Sequence, residues 1–229
     1  MLGEVDRTLA ALYPTRTWGE ADDRAHGGLV PGELNALADE LAGELSAATF
    51  VRAGGEDEPC DYIYVLCLGR APCIVQVRDH GVAPPAEWRG VDAIDEMYLR
   101  LVIGHRAPFA AVQQVAVDLV RGPGGYLVRE RPRAGVYDAP LLHRMQKLVA
   151  ILPAYDLLHL DFGEIAHPPP GFHAGVWREL YGGEPSIANY LFYPQPTTMV
   201  ATTFVEDDRA RPGHGPERSG SGSRGAEAA

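Results

Sequence analysis

The sequence predicts an α+β fold: a mainly antiparallel sheet of hairpins with flanking helices, followed by a disordered C-terminal tail. Three observations carry this prediction. β-rich runs come in adjacent pairs about glycine-containing turns, as in residues 61 to 80 around Gly69-Arg70-Ala71-Pro72 and in residues 115 to 129 around Gly122-Pro123-Gly124-Gly125. Helical stretches with a single apolar stripe stand before, between and after those pairs. Over residues 31 to 152 the order reads helix, three strands, helix, two strands, helix, which is not the strand-helix alternation of a parallel sheet.

Taken in order, Leu2, Val5, Leu9 and Leu12 form one stripe of a helix that ends before Pro14, and residues 13 to 28 follow as a loop or arm. Pro31 suits a first helical position, and Leu34, Leu37, Ala38, Leu41, Leu45 and Ala48 continue at spacings of three and four, with Asp39, Glu40 and Glu44 opposite. Thr49-Phe50-Val51-Arg52 reads as a strand, broken by a glycine and acid-rich run before the first hairpin. After Pro84-Pro85, Asp92 is a fair N-cap, and Ile94, Met97, Tyr98, Leu101 and Val102 predict a helix ending at Gly104. Val115, Val117 and Leu119 alternate as a strand, which Tyr126 to Arg129 answers across the second turn. Asp138 and Pro140 open a helix whose Leu141, Leu142, Met145, Leu148, Val149 and Leu152 share a face. A short helix over residues 174 to 181, stopped by Gly182, and a strand over residues 199 to 205 follow. Residues 207 to 229 hold no aliphatic side chain larger than alanine and predict a disordered tail.

Charge narrows the function classes. The net charge is -11 over 229 residues, which argues against binding nucleic acid through its backbone. The charge is also unevenly spread. Residues 1 to 60 hold twelve Asp and Glu against four Arg, a net of -8, whereas residues 115 to 150 hold five Arg and the only lysine, Lys147, against three acids, a net of +3. A basic segment in an acidic body can dock an acidic partner or the chain's own N-terminal region. No apolar run reaches the roughly 18 residues of a membrane span, and the N-terminus lacks a basic start followed by an apolar stretch. A cytoplasmic protein without a membrane partner is expected. Three cysteines do not make a disulfide framework in a chain of this length.

The first hairpin admits two registers, because a slip of one residue exchanges its faces. An even loop sets Leu68 opposite Cys73 and puts Cys67 on one face with Ile74, Gln76 and Arg78, whereas a three-residue loop, the preferred register, sets Cys67 opposite Cys73, Val65 opposite Val75 and Ile63 opposite Val77, and one face is then wholly apolar. The other face carries Tyr62, Tyr64, Leu66, Ile74, Gln76 and Arg78. Aromatic residues on such a half-covered face are anchors for a partner, so Tyr62, Tyr64, Leu66, Ile74 and Gln76 are the candidate binding residues.

The order of elements over residues 31 to 152, with the acidity, resembles that of type III secretion chaperones and of YbjN-like proteins. That resemblance implies a chaperone-like core in which a twisted sheet and its helices hold an extended client segment. Residues 153 to 206 would extend that core within one domain spanning residues 1 to 206. The partner implied is a protein or peptide client, a homodimer is admitted, and no cofactor is expected.

Enzyme signatures are sparse. There is no G-x-S-x-G, and the serines before residue 219 are Ser46, on a helix, and Ser186, which follows Glu184-Pro185 as an N-cap. Gly122-Pro123-Gly124-Gly125 has no following lysine and reads as a turn rather than a phosphate cradle. Cys60, Cys67, Cys73 and His80 match no zinc spacing and read as packed thiols and a lone histidine. His105 and His143 read as solvated residues at helix margins. One cluster offers an alternative function, a small metal-dependent enzyme. His159 and Asp161 would share a strand face, with His167 or His173 returning from the proline-bounded loop as a further ligand.

Overall fold

The computed structural model describes residues 2–21, 28–54, 60–66, 93–133, 135–136, 138–192, 199 and 201–206. Its spine is β4, Phe109–Gly122. One edge of β4 pairs antiparallel with β3, Ala93–Gly104. The other edge is shared by two strands. β5, Gly125–Arg133, pairs antiparallel from Gln114 onward, and β6, Leu158–Leu160, pairs parallel with the first three residues of β4. Beyond β3 lie β2, Cys60–Leu66, and β1, Ala48–Arg52; beyond β5 lies β7, Ala201–Glu206. Among the described residues the result is one seven-stranded sheet, antiparallel except at β6, with helices packed on it. The predicted α+β class is what the chain adopts.

Each face of the sheet has its own core. Helices α1 (Leu2–Leu12), α4 (Phe162–Ile165) and α6 (Ile187–Leu191) pack with Tyr62, Tyr98, Val102, Phe109, Val115, Val117 and Tyr126 on one side, with α5 (Trp177–Tyr181) beside them. Helices α2 (Pro31–Leu45) and α3 (Ala139–Ile151) pack with Ile63, Val65, Leu99, Leu101, Ile103, Ala110 and Val112 on the other. Because side chains alternate along a strand, a strand covered on both faces reads as a continuous apolar run.

This double coverage explains the main correction. The helix expected from Asp92 to Gly104 is the strand β3. Tyr98 and Val102 point into one core while Leu99, Leu101 and Ile103 point into the other. The alternation of a one-sided strand is therefore absent, and the spacing of Met97, Tyr98, Leu101 and Val102 imitates a helical stripe. Gly104 is not a helix cap. It sits opposite Cys60, where a Cβ would come within 3.2 Å of the Ala107 carbonyl oxygen and 3.4 Å of the Phe192 ring. With β3 a strand, the element order behind the chaperone resemblance loses its middle helix.

The helices follow their local signals. Pro31 begins α2, the Glu33 carboxylate accepts from the Val30 amide at 3.0 Å, and Ser46 closes the helix in the left-handed region. Asp138 caps α3. The Ser186 hydroxyl and the Asn189 amide cap α6 reciprocally. Between β4 and β5, Gly124 takes a φ of 82° that the turn requires. The arm after α1 is tied down: His173 donates its amide to the Arg16 carbonyl at 2.7 Å and accepts from the Trp18 amide at 3.0 Å. Trp18 meets Trp177 edge-on, with centroids 5.0 Å apart. Residues 153 to 206 are no appendage, since they supply β6 and β7 to the sheet and α4 and α6 to a core. The hairpin expected over residues 61 to 80 is corrected, because β1 and β3 occupy both edges of β2 and leave no edge for residues 73 to 80 to pair with; residues 67 to 92 and the expected tail lie outside the described residues.

Candidate functional site

The helical layer of α2 and α3 stops part-way along the sheet, and β4 records where. Its residues facing that layer are Ala110, Val112, Gln114 and Ala116, all 4% exposed or less; Asp118 is then partly exposed and Val120 is 49% exposed. Gln114 marks the boundary. Its side-chain oxygen accepts from the Asp138 amide at 3.2 Å, and its side-chain nitrogen donates to the Met97 sulfur at 3.0 Å, so the start of α3 is pinned over this position.

Beyond that boundary no helix among the described residues covers the sheet face, and register determines what it presents. Side chains on directly paired residues share a face. Val120 pairs with Leu127, which pairs with Phe204, giving an apolar row across β4, β5 and β7 whose Val120 and Phe204 are about half exposed. Along β5 the same face continues with Arg129, Arg131 and Arg133, all exposed, while Tyr126, Val128 and Glu130 turn into the core. Arg131 is held by Asp118, its Nη2 donating to Oδ1 at 2.7 Å. Among the described residues β7 pairs with β5 from Gly125 to Glu130. Beneath this surface, the Tyr98 hydroxyl donates to the buried Glu130 carboxylate at 3.1 Å.

The binding face expected on the first hairpin stands differently. Tyr62 is not half-exposed: it is 7% exposed, belongs to a core cluster, and lies between the Arg52 and Arg100 guanidinium groups at 5.2 and 5.8 Å from its ring centroid. Arg100 also donates to the Gln113 side-chain oxygen at 2.6 Å. Tyr64 and Leu66 lie in β2, an interior strand paired on both sides. Ile74 and Gln76, with Cys67, Cys73 and His80, lie outside the described residues. Ile63 and Val65 are fully buried, as expected, but they stand between β1 and β3, opposite Leu101 and Leu99, and not opposite Val77 and Val75.

The metal-type cluster is dispersed into structural duties. Asp161 caps α4, its Oδ1 accepting from the Gly163 amide at 2.7 Å. His159 lies in β6, where burial lowers its pKa while Asp161 and Glu164 pull the other way. His167 accepts from the Ile187 amide through its carbonyl, and His173 holds the N-terminal arm through its backbone. Among the described residues no three His, Cys, Asp or Glu side chains stand where they could hold one ion. His105, expected to be solvated, sits with its Nε2 2.9 Å from Asp61 Oδ1, which also accepts from the Gly54 amide at 2.8 Å.

The open face was not found from sequence, although half of its signal was present. Arg129-x-Arg131-x-Arg133 after an apolar strand start is a period-two ladder, and the excess of positive charge over residues 115 to 150 contains it. Phe204 comes from a strand some seventy residues further on, and no local pattern announces that pairing. No helix among the described residues is long and apolar enough to cross a membrane. Comparison with protein-family models, with curated proteins and with solved structures finds no match for this chain, so the candidate site rests on its own geometry.

Proposed function

We propose that this protein is a non-enzymatic binding module that holds an extended segment of a client protein against the open half of its sheet, a chaperone-like role. The observation that supports the reading is the row Val120, Leu127 and Phe204, three in-register apolar side chains on a face that α2 and α3 cover elsewhere. An uncovered apolar row on a rigid sheet gives an extended chain a place to bury alternate side chains, and rims of charge fix its position. The client is a peptide segment, and it contacts β5 and β7 rather than β2.

The test is selection from a displayed library of unstructured nine-residue peptides. Recovered peptides should lose binding to Phe204→Ser, keep binding to Leu180→Ser on the distant helix α5, and slow amide exchange in β5 and β7. A selection that returns no peptide, or peptides indifferent to Phe204→Ser, removes the reading.

A further inference from the structure

We infer that the segment taken by this face is acidic, with carboxylates four residues apart and a large apolar residue two positions outside the first. The inference rests on the binding role proposed above and names its partner's chemistry. Three arginines alternate on one exposed face of β5, but they are not equivalent. Arg131 is held by Asp118, whereas Arg129 and Arg133 have no ion-pair partner among the described residues. They stand four residues apart, on the order of 14 Å in a strand. Leu127, in the middle of the apolar row, lies two positions before Arg129 on the same face.

An extended segment stacked along β5 has the same period of two, so its side chains meet Leu127, Arg129, Arg131 and Arg133 at alternate positions. The position over Arg131 faces a guanidinium whose charge Asp118 already balances. Arg129 stands opposite Asp118 in register, but neither it nor Arg133 makes an ion pair among the described residues, and a guanidinium so placed takes a carboxylate in two parallel hydrogen bonds. A polynucleotide fits less well. Its backbone charge would approach a molecule of net charge -11, and the apolar row offers one aromatic ring, Phe204, for base stacking.

The experiment measures binding of a fluorescein-labelled nine-residue peptide with leucine first and glutamate third and seventh, together with its reversed sequence, because the direction along β5 is open. The better of the two should bind about tenfold more tightly than its glutamine counterpart, the effect of two exposed charge pairs. The double variant Arg129→Glu, Arg133→Glu should lose that preference and instead favour the peptide with lysine at those positions. Equal binding of the glutamate and glutamine peptides, with both sensitive to Phe204→Ser, overturns the acidic partner and leaves the binding role standing. No binding by any peptide overturns both. Tighter binding of oligothymidylate, or a dimer that the double variant dissociates, replaces the acidic client with a nucleic acid or a second copy.

Discussion

The Tyr98 hydroxyl reaches over β4 from β3 to the Glu130 carboxylate of β5, 3.1 Å away, and both side chains are closed off from solvent. The bond ties two strands that share no backbone pairing and sets Glu130 inward, so that Arg129 and Arg131 on either side of it point outward. Tyr98→Phe removes a donor from a buried carboxylate and should destabilise the fold by about 1.5 to 3 kcal/mol, the range for hydrogen bonds to charged groups. Urea unfolding decides it; a midpoint unchanged from wild type would show that the bond contributes nothing net.

Val65 is fully buried beneath α2 and α3. Val65→Asp places an unpaired charge there, at a cost of several kcal/mol even after relaxation, and should leave the protein unfolded or aggregated. Far-ultraviolet circular dichroism and solubility report the outcome, and a folded, soluble variant would contradict the assignment of Val65 to the core.

His159 provides a pH dependence with a definite sign. Burial holds its folded pKa below the unfolded value of about 6.5, so the unfolded chain binds the proton first. The stability associated with the neutral ring is whole above that unfolded value and is lost as pH falls through the folded one. His159→Gln should therefore lose less stability than wild type between pH 7.5 and pH 5. Thermal midpoints that fall in parallel for the two proteins would refute this.

Trp18 fastens the N-terminal arm to α5 through its contact with Trp177. Trp18→Ala should release the arm without unfolding the sheet: limited proteolysis should cut between α1 and α2 faster than in wild type, while the circular dichroism of the strands is retained. Unchanged cleavage would show that the backbone bonds between His173 and the arm suffice.

What could be read in the sequence depended on how many faces of an element are buried. α2 and α3 have one apolar stripe each, and the second hairpin has its glycine turn, so residues 31 to 45 and 115 to 151 were largely legible, while the first half of β4 was not. β3 was misread because Tyr98 and Leu99 serve different cores, which erases its period. The expected anchor Tyr62 was legible as strand but not as interior, since its flanking arginines are brought by β1 and β3. The open face depends on where α3 ends and on which strand joins β5. Both are matters of long-range packing that a local pattern does not encode.

The pairing of β5 with β7 also bears on the order of assembly. β3, β4 and β5 are neighbours along the chain and can zip locally, whereas Glu130 meets Ala201 only after α3 and the segments behind it have closed a long loop. An outermost strand recruited so late is also the one a folded chain can shed at least cost, by local opening rather than global unfolding. Phe204 leaves the apolar row whenever β7 peels away, so a chain caught half-made or briefly frayed presents the arginines beside Leu127 and Val120 alone.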